Sequence, residues 1–218
     1  LYRERADSPT NFQFVLDSLA SRDTTGSAPL DLRINSLIVR RSSIRYDQRD
    51  AAETPQQLNP SHLHVTDFST HLILKVLTED SLNLNVKRLS CKEKSGLQLN
   101  RLSFRFEGGR SCCKLEDFLL RLPGTDFQLG DIRATYRFRG DHFVTPSLAY
   151  SGSIKPSTVT LSDLSCLLPS LETFNSTLSL SSTFHGQGET LDVPALSVSS
   201  TTGDIGIDLG TASAASSG

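Results

Sequence analysis

The side chains in this sequence with the chemistry to act are few and scattered. His62, His64 and His71 lie close together with Asp67 among them. In a strand His62 and His64 share a face, and same-face histidines can chelate a metal. No further ligand accompanies them, so no metal centre is expected. Cys91, Cys112, Cys113 and Cys166 form no Cys-x-x-Cys and have no histidine cluster beside them, unlike a zinc site. Cys91 and Cys166 read as small hydrophobes in apolar positions. Cys112 and Cys113, as strand neighbours, point to opposite faces and are poorly placed to bond to each other. His142 and His185 stand beside turn glycines. No Gly-x-Ser-x-Gly, phosphate-binding loop or Cys-His constellation is present. The expectation is a protein without catalytic residues, cofactor or metal, and not an enzyme.

The stronger signal lies in the elements that would carry such side chains. Apolar residues alternate with polar ones along Leu30-Leu32-Ile34, Leu72-Leu74-Val76, Leu82-Leu84-Val86, Leu97-Leu99, Leu102-Phe104-Phe106 and Ile205-Ile207-Leu209, the period of half-buried strands. Beneath the alternation is a unit of form apolar-x-apolar-x-x-apolar-x-apolar. It occurs at Leu32-Ile34-Leu37-Val39, Leu84-Val86-Leu89-Cys91, Leu97-Leu99-Leu102-Phe104, Cys113-Leu115-Phe118-Leu120, Phe127-Leu129-Ile132-Ala134 and Leu191-Val193-Leu196-Val198. Leu63-Val65-Phe68 fits in part, and Val159-Leu161-Leu164-Cys166 fits in full. The three-residue step in its middle would carry the second pair to the wrong face of a regular strand. A bulge absorbs one residue, restores the common face and bends the strand. The other solution is two short strands joined by a tight turn in a β-sandwich.

Gly108-Gly109, Pro123-Gly124-Thr125-Asp126, Arg139-Gly140-Asp141 and Thr202-Gly203-Asp204 separate alternating stretches as hairpin turns do. Segment 49–60 reads as a longer solvated loop. Two helices are expected. One is capped by Asp7 or Ser8, with Phe12, Val15, Leu16 and Leu19 as its stripe; the other is capped at Ser162-Asp163, with Leu164, Leu167, Leu168 and Leu171, and is kinked or ended by Pro169. The 22 basic and 24 acidic residues give a net charge of -2 without a basic cluster, so nucleic acid is not an expected partner. No apolar run approaches the roughly 18 residues that cross a bilayer. The chain opens on Leu1 and reads as an excised segment whose anchor or export signal would lie elsewhere.

The stretch LRINSLIVRRSSIRYD, residues 32–47, resembles the strand pair that recurs in AsmA-type proteins, ending near an aromatic residue and an aspartate, here Tyr46 and Asp47. Residues 162–210 resemble TamB-like proteins of Bacteroidetes more closely. They hold a Leu-rich short helix with an internal proline, an Asn-Ser-x-Leu strand, a Gly-x-Gly turn, then an apolar strand and a Ser-Ser-Thr-Thr-Gly-Asp turn. NFQFVLDSLAS, residues 11–21, fits the short helix of such proteins. Ser42-Ser43 departs from the pattern where the AsmA-type pair commonly carries glycine.

The resemblance implies an all-β, mainly antiparallel fold: a strongly curved, open β-sheet groove with one or two short α-helices. Residues 1–218 would be one segment of a larger protein, with a helix at about 9–21, β structure over 30–160, a helix at about 162–173 and β structure over 176–210. It implies a periplasmic protein of a Gram-negative bacterium, anchored in the inner membrane, that assists phospholipid transport to the outer membrane and outer-membrane biogenesis. The partners would be phospholipid acyl chains, and possible further ones the outer-membrane assembly machinery or unfolded β-barrel clients. The residues expected to line the groove are Ile34, Leu37, Val65, Leu74, Leu84, Val86, Leu99, Phe104, Leu120, Leu129, Leu196 and Val198. Two readings compete: a β module that binds client strands, and a surface adhesin or carbohydrate-binding sandwich, the latter disfavoured by the absence of Trp and an aromatic content of 7%.

Overall fold

The computed structural model describes residues 2–3, 31–54, 56–140, 142–174, 176–200, 206–209 and 212–215. Strands are β1 (Tyr2–Arg3), β2 (Leu32–Gln48), β3 (His62–Leu77), β4 (Leu82–Glu93), β5 (Gln98–Gly108), β6 (Cys112–Arg121), β7 (Asp126–Gln128) and β8 (Ile132–Thr135). They continue with β9 (Phe138–Arg139), β10 (His142–Phe143), β11 (Ala149–Thr160), β12 (Thr177–Gln187), β13 (Thr190–Ser200), β14 (Gly206–Leu209) and β15 (Ala212–Ala215). All but β9 and β10 join one 13-stranded sheet, an antiparallel meander apart from β1, which runs parallel to β2; β7 and β8 share one position between β6 and β11, and β14 and β15 both pair with β13. The sheet is curved, open and not closed into a barrel. It is not a two-layer sandwich, since no large side chain among the described residues is fully buried.

The three-residue steps of the sequence unit are where the strands bulge. Ile34 and Leu37 of β2 face Leu74 and Leu72, so three residues oppose two. Val86 and Leu89 of β4 face Phe104 and Leu102 in the same way, and Leu99 and Leu102 of β5 face Cys91 and Leu89. On β6 the extra residue lies between Glu116 and Leu119. On β13 it lies between Asp192 and Ala195. At Leu129-Gly130-Asp131 the strand breaks into β7 and β8, with Leu129 bridged to Ile154. Pro156 and Pro194 fall within the irregular stretches of β11 and β13, where a missing N–H removes no regular ladder bond. Asp67 and Asp117 take positive φ, 52° each, at the bulges of β3 and β6. Each is ion-paired to the neighbouring strand, Asp67 to Lys92 and Asp117 to Arg105. Most of the bulges lie in a band near the middle of the strands. Since bulges bend strands, the sheet is bent along a line that crosses the strands.

A bulge disrupts the local ladder, and hydroxyl groups on adjoining strands supply many of the missing partners. Thr70 donates to the carbonyl of Arg88 at the bulge of β4, and Ser182 donates to the carbonyl of Ala195 at the bulge of β13. Ser157 accepts from the N–H of Gln128 and donates to the carbonyl of Lys155. The N–H of Arg41, itself a positive-φ bulge residue, donates to Ser69. Thr70, Ser157 and Ser182 are all buried.

Two expectations about helices end differently. The segment 9–21 lies outside the described residues. The segment 162–173 forms no α-helix; it holds two 3-10 turns, Leu161–Leu164 and Pro169–Leu171. Pro169 disfavours helical geometry at Leu168, which is extended at φ -131° and ψ 92°, so the leucine spacing never acts as a helical stripe. The unit at Val159-Leu161-Leu164-Cys166 is likewise no strand pair, because its second half lies in this segment. Turns do occur at 109–111, 122–125 and Gly140, as expected, while Asp141 and Thr202–Asp204 lie outside the described residues.

Replacing Ser157 by Ala leaves the buried N–H of Gln128 without its acceptor, a loss worth about 1–3 kcal/mol. Urea denaturation should show that drop, whereas Ser181→Ala on the polar face should change stability by no more than about 0.5 kcal/mol. Equal effects at the two positions would remove the hydroxyls from this role.

Candidate functional site

Strand register decides which side chains share a face, because residues directly opposite in a ladder point the same way. One apolar row runs through Ile34, Leu74, Leu84, Phe106, Leu115 and Ile132. A second runs through Leu37, Leu72, Val86 and Phe104, and Phe104 stacks on Phe118 at 6.4 Å. It continues from Phe118 to Leu129, Ile154, Ser182 and Leu196. A third runs through Val39, Thr70, Leu89, Leu102, Leu120 and Phe127, and Ser157, Leu180 and Val198 extend it. Leu99 faces Cys91, and Val65 faces Ile44 on one side and Glu93 on the other.

Every residue expected to line a groove therefore lies on one face of the sheet. The same face includes Leu72, Leu89, Leu102, Phe106, Leu115, Phe118, Phe127, Ile132 and Ile154, which the sequence reading left out of its list although the same alternation marks them. Among the apolar residues of the rows Leu74 and Val86 are the most buried, at 8% and 6% exposure, and Leu37 is still 40% exposed. At one strand spacing of about 4.8 Å per step, the rows run roughly 40 Å across the strands.

The opposite face is polar. Asn85, Arg105 and Glu116 form one of its rows, and Asn83, Glu107, Lys114 and Arg133 another. Arg105 pairs with Asp117 at 2.6 Å, Arg121 with Asp126 at 2.8 Å, and Lys114 with Glu116. Such exposed pairs add little stability, but they keep this face in water. Ile38, 53% exposed opposite His71, and Ile73, opposite Asn85, are exceptions to the division.

Glycines on the apolar face lie under aromatic rings. A Cβ on Gly186 would meet the Tyr150 ring at 2.4 Å, one on Gly152 the Phe184 ring at 2.7 Å, and one on Gly108 the Phe106 ring at 2.8 Å. Tyr150 pairs with Gly186 and Gly152 with Phe184 across β11 and β12, so the two strands exchange reciprocal ring-over-glycine contacts. Rings laid over glycine keep this part of the face shallow.

One end of the face is crossed by the segment that links β11 to β12. Asp163 accepts from the N–H of Gly124 at 2.9 Å and from the Thr125 hydroxyl at 2.7 Å, which ties the segment to the β6–β7 turn. Farther along, the carbonyl of Cys166 accepts from the N–H of Leu58 in the β2–β3 loop at 2.8 Å. Elements remote in the sheet order are thus strapped together. Cys166 is buried at 4% exposure, while Leu167, Leu168 and Phe174 stay more than half exposed. Burial pushes the Cys166 thiol up, as it does those of Cys91 and Cys113. All four cysteines are free thiols, and Cys112 and Cys113 face opposite sides.

Glu93 is the buried carboxylate at this end, 7% exposed. Burial pushes its carboxyl up, but hydrogen bonding from the N–H groups of His64 and Ser95, at 2.9 and 2.7 Å, outweighs that and holds it below the usual carboxylate range. The histidines do not assemble a site. His62 is buried against Asp47 and the carbonyl of Ala51, and His71 contacts Ser36. Among the described residues no group of His, Cys, Asp and Glu could hold a metal ion, and no helix is long and apolar enough to cross a membrane.

No family model, curated protein or solved structure matches the chain.

The Glu93 carboxylate has a lowered folded-state pKa, so its contribution to stability is complete above about pH 4.3 and is lost as pH falls through the folded value. Glu93→Gln should therefore cost about 1–3 kcal/mol at pH 7, and the gap to the parent protein should narrow at pH 3. Thermal melts across that range check this; an identical gap at both pH values would contradict it.

Proposed function

We propose that this chain is one section of an AsmA/TamB-like, non-enzymatic groove protein that shelters phospholipid acyl chains as they cross the periplasm toward the outer membrane. The observation that carries the proposal is the continuous apolar face without a second layer over it. Exposed hydrocarbon costs roughly 0.8 kcal/mol per methylene in water. A trough that covers the chain removes most of that cost without any catalytic group. The length is suitable: an acyl chain spans about half of a bilayer core of roughly 30 Å, and the rows are longer than that. Large exposed apolar patches are rare on soluble proteins and mark interaction surfaces. The resemblance of residues 32–47 and 162–210 to AsmA-type and TamB-like sequences motivates the same reading, although 32–47 form one continuous strand rather than a strand pair and 162–173 form no α-helix; it would place the full-length protein in the periplasm with an inner-membrane anchor.

A second reading is favoured by the open sheet edges. An open sheet can accept an added strand, and a role in assembling outer-membrane barrels would use unfolded barrel strands as clients.

Photo-crosslinkers at Leu84 and Leu129 should form adducts with phospholipid in cells, and lipid extracted from the purified protein should be phospholipid by mass spectrometry. Leu37→Glu, at a position already 40% exposed, should reduce bound lipid at least about fivefold with little change in melting temperature, since a carboxylate next to an acyl chain must be desolvated. Lipid-free protein that crosslinks only to unfolded barrel strands would replace the first reading by the second.

A further inference from the structure

At the end of the apolar face away from the strap, the β3–β4 turn, the β5–β6 turn and the β9–β10 hairpin border an open cavity of about 340 Å³, lined by Glu79, Asp80, Arg110, Tyr136, Phe138 and Phe143. Resting on the reading of the apolar rows as an acyl-chain trough, we propose that this cavity binds the ammonium headgroup of a zwitterionic phospholipid whose tails lie in the rows.

The wall of the cavity is aromatic. Tyr136, Phe138 and Phe143 have ring centroids 5.6 to 5.9 Å apart, and their planes meet at 51° to 86°. Rings at such angles form a corner rather than a stack. Phe138 and Phe143 remain 46% and 45% exposed, so their faces are open to a ligand. The corner is fixed in place: the Tyr136 hydroxyl donates to the carbonyl of Gly109 at 2.6 Å, and Phe138 pairs with Phe143 across the hairpin. Aromatic faces attract ammonium and quaternary ammonium groups through the ring quadrupole.

The other wall is charged. Asp80 is paired with Arg110, while Glu79 has no cationic partner among the described residues. Glu79 lines the same cavity as the rings and would be the anion that meets an ammonium there, while Arg110, paired with Asp80, would be the cation beside an adjoining phosphate. The cavity also continues the trough. Leu82, Gly108, Cys113 and Ala134 form the last row of the apolar face; Tyr136 stands two residues beyond Ala134, and Gly109 follows Gly108 into the lining. A lipid with its tails in the rows would bring its headgroup here.

The test uses the full chain with equimolar mixed vesicles of phosphatidylethanolamine and phosphatidylglycerol, with bound lipid quantified by mass spectrometry. The parent protein should take up the ethanolamine lipid at least about fivefold over the glycerol lipid, and Phe138→Ala with Phe143→Ala, or Glu79→Gln alone, should bring that ratio close to one while total uptake persists. Calorimetric titration with soluble phosphoethanolamine reads the cavity without the trough, and its affinity should fall about tenfold in the same variants. Lipid uptake with no headgroup preference in the parent protein overturns this proposal and leaves the trough intact. Phosphoethanolamine binding without lipid uptake sustains the cavity and overturns the trough. Failure of both overturns both, and circular dichroism melts of each variant exclude unfolding as the cause of a lost ratio.

Discussion

The structure depends on a parity constraint. Side chains alternate across a strand, so one extra residue sends everything beyond it to the other face. This chain carries a three-residue step in most of its long strands, and a bulge or break accompanies each. Without the bulge on β4, Val86 and Leu89 would point to opposite sides, and the rows through Phe104 and Leu102 would break. A strand that both bends and keeps one apolar face needs a residue inserted at the bend, and the sequence spacing records that insertion.

Insertion has a backbone cost, and that cost accounts for polar residues within an otherwise apolar face. A ladder opened by a bulge leaves N–H and carbonyl groups that water cannot easily reach, and each buried unpaired group costs free energy. Thr70, Ser157 and Ser182 occupy apolar-face positions and donate to, or accept from, backbone at or opposite the bulges. The positive φ of Asp67 and Asp117 follows from the same event, since a short polar residue tolerates the left-handed conformation better than a branched apolar one. Hydroxyls and aspartates are thus structural parts of a hydrophobic surface.

Much of this was legible before any coordinates. The alternation and the interrupted unit together specify strands, bends and a common face, because both are consequences of the same two-residue period. What the spacing left open was whether the interruption is a bulge or a turn: Leu99 and Leu102 look the same either way, and only the register to Cys91 and Leu89 distinguishes them. The segment 162–173 was misread because leucines at helical spacing also arise where a chain makes short 3-10 turns, and Pro169 decided between the two. The roles of Thr70, Ser157 and Ser182 were not legible at all, since their partners lie on other strands. The cavity at Tyr136 was hidden for a related reason: it joins three turns that are far apart in sequence.

The two ends of the apolar face differ in kind, and the difference follows from where the connections run. At the strap end, the β2–β3 loop and the β11–β12 connection are long enough to meet, through Leu58 and Cys166, so this end is crossed by backbone and braced by the buried carboxylate of Glu93. At the other end the turns after Leu77 and Gly108 are short and cannot cross. There the rings of the β9–β10 hairpin and the charges of the β3–β4 turn surround an opening instead. In the proposed trough, strapped at one end and open at the other, an elongated amphipathic ligand would have one orientation in which its polar group meets charge and rings, and another in which it meets a strap tied through main-chain hydrogen bonds. Polarity along the apolar face thus arises from what the connections at its two ends carry, a property independent of the rows themselves.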